Sequence, residues 1–257
     1  MLHWLTERRR RHLLAQPFPD GWQLLLETNV AVYRLLDAQE RQHLRDLVQV
    51  FIAEKHWEAA GGLELTDEVR VTIAGTGCQL LLGRDHDLFA DVSSIVIYPS
   101  AVVMPEQVRS TWDPGLIPGE GDVAISGMAR RGGAMVLAWD EALRGARGHH
   151  GGRNVVIHEL AHKIDFLDGV ADGTPRLASG EARRTWARAF EPAFLAQRAR
   201  ASRGEESLLR DYAITNEAEY FAVATEMFFE QPRALAAELP EIYAQLRELY
   251  RLDLASR

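Results

Sequence analysis

The most informative segment of this sequence is Val155-Val-Ile-His158-Glu159-Leu-Ala-His162-Lys-Ile-Asp165. Apolar residues recur around the two histidines at helical spacing, which predicts a largely buried helix. Side chains four residues apart lie on one face of a helix, so both imidazoles point to one spot. Because a buried polar pair needs a partner, the segment predicts a metal site.

The residue types in this segment indicate hydrolytic chemistry. Neutral imidazole is a preferred ligand of zinc, and two histidines supply two of the three protein ligands that a catalytic zinc site uses. Glu159 adjoins the first histidine, where it can accept a proton from a water molecule that the metal activates. This H-E-x-x-H arrangement is typical of zinc peptidases.

Two residues compete for the place of the third ligand. Asp168 stands ten residues after His158, where one group of zinc peptidases has its third ligand, but that pattern needs a glycine at position 165, which is Asp165 here. Glu219 follows Asn216 by three residues, so it is either a ligand or the capping-box partner of Asn216. Apolar neighbours favour an inward carboxylate at Glu219, and spacing alone leaves both interpretations open.

Composition excludes several classes of protein. The 257 residues are 47% hydrophobic and 26% charged, which is typical of one soluble domain, with or without an appendage. A single cysteine, Cys78, excludes an internal disulfide framework and a zinc module built from cysteines. The net charge of −8 argues against a nucleic-acid or membrane binder. No transmembrane run or secretory signal is visible, so we expect a cytoplasmic protein.

The pattern along the chain predicts more helix than strand. Asp37 and Thr66 are candidate N-caps of helices that extend to about 58 and 82. Strands are expected within 91–98 and 134–139, and a glycine-rich loop at 144–153. Further helices are predicted at about 154–167, 181–200, 216–230 and 238–252. The fold class is therefore α+β and mostly helical, around a small sheet.

Several long motifs resemble one known family. They are His158-Glu-Leu-Ala-His-Lys-Ile-Asp-Phe-Leu-Asp-Gly169, Tyr212-Ala-Ile-Thr-Asn-Glu-Ala-Glu219-Tyr-Phe-Ala-Val and Gly61-Gly-Leu-Glu-Leu-Thr-Asp-Glu-Val-Arg-Val-Thr-Ile-Ala74. Together they resemble the Mlc titration factor A family of zinc peptidases over roughly residues 50–230. The resemblance implies a zincin-like metallopeptidase domain, which we place at 61–257, with an N-terminal helical region at 1–60 packed on its core.

The resemblance also assigns roles to single residues. It implies a gluzincin-like site, related to that of the anthrax lethal factor catalytic domain, in which His158, His162 and Glu219 bind one zinc ion. Glu159 matches the general base of the family. Tyr212, seven residues before the glutamate ligand, matches a tyrosine whose phenol can donate to the oxyanion that forms at the peptide carbonyl.

The family implies an activity and a partner as well. The expected activity is hydrolysis of peptide substrates, described as aminopeptidase-like, and the expected partner is the transcriptional repressor Mlc, which controls genes of glucose uptake. The alternative is a non-catalytic or latent zincin-fold protein that acts by sequestering a transcriptional regulator. We expect neither direct nucleic-acid binding nor a membrane association.

Several smaller features keep two interpretations. Asp165 and Asp168 can each accept the free N–H of a ligand histidine, although an exposed helix end suits Asp168 better. Glu226 can face the same side as Glu219, but a salt bridge is its simpler role. The strand at 134–139 is either a core strand or the edge strand that pairs with substrate. His149-His150 is expected to be an exposed loop pair, and the loops at 140–153 or 168–180 can cover the site.

Overall fold

The fold comes from a computed structural model that describes residues 2–84, 89–104, 123–125, 127–129, 133–148 and 151–257. The histidine pair at 149–150 lies outside these residues, and so does the stretch at 114–121, whose prolines and glycines predict turns. The described part is mostly helical with a small sheet, which confirms the α+β prediction. None of its helices is long and apolar enough to cross a membrane.

Three helices form the N-terminal part of the chain: α1 at Leu2–Leu14, α2 at Asp20–Asn29 and α3 at Ala38–Glu54. The predicted cap of α3 is confirmed, because the side chains of Asp37 and Glu40 each accept the other residue's backbone N–H. Apolar residues of α2 and α3 join the core that α4 (Asp67–Cys78) also lines. The division of the chain at residue 60 stays a prediction.

The predicted helix to residue 58 is too long, because α3 ends at Glu54 and His56–Ala59 forms strand β1. The indole of Trp57 donates to the Ile52 carbonyl at 3.1 Å, which satisfies an acceptor in the last turn of α3. β1 then pairs in parallel with β2 at Ser94–Tyr98. This pairing is between segments distant in sequence, so a local pattern does not reveal it.

The main sheet has the strand order β1-β2-β6-β5, with β5 at Gly127–Ala129 and β6 at Ala134–Ala138. β1, β2 and β6 are parallel, and β5 is antiparallel to β6. β6 therefore lies inside the sheet, which makes it a core strand and places β5 at the edge. A separate antiparallel pair joins β3 (Val102–Met104) and β4 (Val123–Ile125).

A helix that the sequence did not predict follows β6. α5 runs from Trp139 to Ala146, over part of the expected loop at 144–153. Its buried residues are small (Ala142, Gly145 and Ala146), so it packs closely. Gly145 lies inside this helix, although glycine is more typical of a loop, and the loop prediction is wrong there for that reason. The histidine segment follows as α6, at Val155–Asp165.

The C-terminal part of the chain is helical, and its helix at Glu217–Glu230 packs against α6. The helices of this part are α7 at Gly180–Ser202, α8 at Glu217–Glu230, α9 at Pro232–Glu238 and α10 at Pro240–Tyr250. The predicted helices are confirmed, and α9 is an addition. α4 approaches α6 closely because Gly77 lacks a side chain: a Cβ there would lie 2.5 Å from Leu160 Cδ1. The helix that carries the histidines is thus packed from several sides.

Candidate active site

α6 is fixed at its N-terminus by Asn154. The Asn154 side chain accepts the backbone N–H of Ile157 at 3.2 Å, and its own backbone N–H donates to Glu226 at 2.6 Å. Apolar side chains anchor the rest of the helix in the core: Val156, Ile157, Leu160, Ala161 and Ile164. The helix is therefore held rigidly where it presents His158 and His162.

The two histidines and Glu219 bring three donor atoms together. His158 Nε2 lies 3.2 Å from His162 Nε2, and Glu219 Oε2 lies 3.0 Å from the first nitrogen and 3.4 Å from the second. Among the described residues, these three form the group that could hold a metal ion. Glu219 Oε2 is buried and has no well-formed hydrogen bond. A buried acceptor between two imidazoles suggests a metal ion.

The capping-box alternative for Glu219 predicted a different direction for its carboxylate. Asn216 is the N-cap of α8, and its side chain accepts the Glu219 backbone N–H at 2.9 Å. The Glu219 carboxylate itself lies against the histidines. Burial favours protonation of Glu219, but its contacts with His158 and His162 outweigh burial and hold its pKa below the ordinary value. The backbone N–H of Glu219 thus takes part in the helix cap, while its carboxylate belongs to the cluster.

Asp168, the other candidate for third ligand, lies outside the cluster. Its Oδ1 accepts the backbone N–H of Val170 at 3.1 Å, and its Oδ2 lies 3.9 Å from Arg183. Asp165 is buried and its Oδ2 accepts the backbone N–H of Gly173 at 2.9 Å. Asp168 and Asp165 therefore bind the backbone of the loop that follows α6, which agrees with the helix-end interpretation of Asp168.

Glu159 is buried beside the cluster. Burial raises its pKa to about 7, and the neighbouring histidines oppose that rise. A carboxylate with such a pKa exchanges protons near neutral pH, which suits a general base.

Tyr212 lies beside His158, in the 3-10 turn Asp211–Ile214. Its ring centroid is 5.9 Å from that of His158, and half of the residue is exposed (50%). Partial burial of the Tyr212 phenol raises its pKa, and so does the negative charge of the Glu219 carboxylate. The phenol therefore keeps its proton and remains a hydrogen-bond donor.

Glu226 contacts His158 directly, which its position in the sequence only hinted at. Its Oε1 accepts from His158 Nδ1 at 2.7 Å and from Arg210 Nη2 at 2.6 Å, so it orients the histidine as well as forming the expected salt bridge. Burial raises the Glu226 pKa, but His158 and Arg210 outweigh burial and leave it lowered. Its place seven residues after Glu219, two helical turns, was the available signal.

The charge around His158 follows from these contacts. Burial alone lowers the His158 pKa, but the carboxylates of Glu226 and Glu219 outweigh burial and raise it to about 10. The cluster therefore attracts positive charge, which a proton or a metal cation can supply.

Comparison with known proteins finds similarity to one family over nearly the whole chain. A model of the glucose-regulated metallo-peptidase M90 family matches residues 4–251. An uncharacterised protein of Synechocystis is 32% identical over 253 residues, which cover 98% of this chain and 90% of the relative. Mlc titration factor A of Serratia proteamaculans is 29% identical over 257 residues, which cover 99% of this chain and 93% of the relative. That of Pectobacterium atrosepticum is 28% identical over 241 residues, which cover 93% of this chain and 88% of the relative.

Proposed function

The chain belongs to the glucose-regulated metallo-peptidase M90 family, and on that premise we propose that it is a zinc-dependent peptidase. His158, His162 and Glu219 would hold one zinc ion. Support comes from the donor set, since two imidazoles and one carboxylate are the usual protein ligands of a catalytic zinc site.

The spacing of the three donor atoms is the observation that carries the proposal. Two ligands bound about 2.0–2.1 Å from a tetrahedral ion lie about 3.3–3.4 Å apart. The donor atoms of His158, His162 and Glu219 are separated by 3.0, 3.2 and 3.4 Å. The residues therefore fit the ion with only small adjustments of their side chains.

Each neighbouring residue has a place in the proposed hydrolysis. A bound zinc ion supplies a Lewis acid for the scissile carbonyl and makes water more acidic. Glu159, which is buried and adjoins His158, would take the proton from the attacking water and later pass it to the leaving amine. Tyr212 donates its phenolic proton in a hydrogen bond to the oxyanion.

We further propose an aminopeptidase-like activity and an association with a repressor of the Mlc type, in the cytoplasm. The association is supported by the similarity to relatives named Mlc titration factor A, which extends over nearly the whole chain, and the aminopeptidase-like activity rests on the family resemblance of the motifs. The same names favour a second candidate, a protein that sequesters such a repressor without hydrolysing peptides. Glu159 and Tyr212 favour the catalytic proposal, because a structural metal site needs neither.

Replacing Glu159 separates the two candidates. We expect Glu159→Gln to bind zinc as the unchanged chain does and to lose nearly all hydrolysis of aminoacyl reporter peptides. Glu217→Gln neutralises an exposed carboxylate at the start of α8 and serves as the control. Hydrolysis by Glu159→Gln at the unchanged rate would contradict the mechanism. Binding of a purified Mlc-type repressor to the same variant, with hydrolysis absent in the unchanged chain also, would favour the sequestering protein.

A further inference from the structure

Gly173 lies in the loop between α6 and α7, where buried side chains bind both of its backbone polar groups. Its N–H donates to Asp165 Oδ2 at 2.9 Å, and its carbonyl accepts from Trp186 Nε1 at 3.0 Å. Asp165 and Trp186 are almost fully inaccessible to solvent. The loop is therefore anchored near its middle to the end of α6 and to α7.

The same glycine also touches the first turn of α8. A Cβ built on Gly173 would lie 2.7 Å from the carbonyl carbon of Glu217 and 3.2 Å from the backbone nitrogen of Ala218. These are backbone atoms inside a helix, so they cannot move aside as a flexible side chain can. Only a residue without a side chain allows this close approach.

These contacts connect the two helices that supply the metal donors. Asp165 is one turn after His162 on α6, and Glu217 is two residues before Glu219 on α8. We propose that Gly173 is a positioning residue for the metal site: together with Asp165 and Trp186, it holds the start of α8 at the distance from α6 at which Glu219 meets the histidines.

The chain provides a matched control for this role. Gly169, in the same loop, also has a left-handed backbone, with φ of 91° against 74° for Gly173. Apart from its two chain neighbours, the residues that the structure describes place no heavy atom within 4 Å of a Cβ built on Gly169. Alanine at either position carries the backbone strain of positive φ, but only alanine at 173 pushes against α8.

The inference rests on the proposed metal site, and its test measures binding of the metal itself. The full chain is prepared metal-free as the unchanged protein, Gly173→Ala and Gly169→Ala. Zinc affinity is measured by competition with a chromogenic chelator, and the visible spectrum of added Co²⁺ reports the geometry of its ligands. Thermal unfolding of the metal-free samples reports overall stability.

We expect Gly173→Ala to bind zinc at least about tenfold more weakly and to change the Co²⁺ spectrum, as displaced supporting groups do at other metal sites. Gly169→Ala should stay within about twofold of the unchanged chain. Equal zinc affinities for the two variants, with an unchanged Co²⁺ spectrum, would overturn the inference.

A second variant serves if Gly173→Ala does not fold. Trp186→Phe keeps an aromatic ring stacked on Phe190, whose centroid is 4.0 Å away, but cannot donate to the Gly173 carbonyl. Trp186 acts on the donors only through Gly173, so we expect zinc affinity to fall about threefold, less than the roughly tenfold that losing a direct outer-shell partner costs. Unchanged affinity and spectrum would overturn the inference. An unchanged chain that binds neither ion would remove the proposed metal site and the inference with it.

Discussion

Replacing Glu226 by glutamine tests whether this buried carboxylate orients His158. Glu226 is fully buried and accepts three hydrogen bonds: from His158 Nδ1, from Arg210 Nη2 and from the Asn154 backbone N–H. Glutamine has nearly the same shape but only one acceptor oxygen. If that oxygen stays with His158, the amide NH₂ takes the place of Glu226 Oε2, which lies 2.6 Å from the Asn154 backbone nitrogen. Two donors then face each other, and the Asn154 N–H has no acceptor.

The magnitude follows from these contacts. Even with its oxygen on His158, the neutral amide no longer raises the basicity of the imidazole, and such a change in an outer-shell partner weakens metal binding about 10- to 100-fold, or about 1.4–2.7 kcal/mol. One buried donor left without an acceptor costs a further 1–3 kcal/mol or so of unfolding free energy. Arg210 is about one-third exposed (32%), so water can replace its lost contact and we expect no large additional cost.

The assay is zinc affinity by chelator competition, together with urea unfolding of the metal-free protein. Glu230→Gln is the matched control: Glu230 lies one turn further along α8 and accepts from the Asn154 side chain at 2.8 Å. We expect Glu230→Gln to bind zinc as the unchanged chain does. A zinc affinity of Glu226→Gln within about twofold of the unchanged chain, or an equal loss in both variants, would refute the orienting role.

Three further predictions use other contacts. Tyr212→Phe should lower turnover about 100-fold with no loss of zinc, as removal of one oxyanion donor does elsewhere, and equal losses of turnover and zinc would make Tyr212 structural. Burial raises the Asp165 pKa from 3.8 to about 7, so on raising the pH the unfolded chain loses this proton before the folded chain does. The metal-free protein should therefore lose up to about 4 kcal/mol of unfolding free energy as pH rises from about 4 to 7. Asp165→Asn should lack this loss when its unfolding free energy is measured in urea across that pH range. Parallel plots of unfolding free energy against pH for the two proteins would contradict the role of Asp165. Asn216→Ala removes the acceptor of the Glu219 N–H and should lower the unfolding free energy by about 1 kcal/mol, as measured by thermal or urea unfolding. An Asn216→Ala variant as stable as the unchanged chain would mean that the cap contributes nothing.

Features that depend on neighbouring residues in sequence could be predicted. The predicted caps Asp37, Thr66 and Asn216 all accept the backbone N–H three residues later, as their spacing indicates. The helical period likewise predicted that α6 is buried. The H-E-x-x-H spacing placed two histidines on one face, and the structure shows their Nε2 atoms 3.2 Å apart.

Features that depend on distant pairing could not be predicted in this way. β1 is a strand because β2 lies beside it, and no local signal distinguished it from the end of α3. Glu226 contacts a histidine 68 residues away, and Arg210 reaches both from a third segment. Asp165 and Asp168 were plausible partners by their nearness in sequence, but helix geometry directs both of them to the following loop.

Metal content tests the proposed peptidase site most directly. Zinc is measured by elemental analysis in the unchanged chain and in Glu219→Ala, and peptide hydrolysis is followed on the same samples. We expect about one zinc per chain in the unchanged protein, sharply less in Glu219→Ala, and a parallel loss of hydrolysis. An unchanged chain without zinc, or a Glu219→Ala variant that keeps both its zinc and its hydrolysis, would contradict the proposed site.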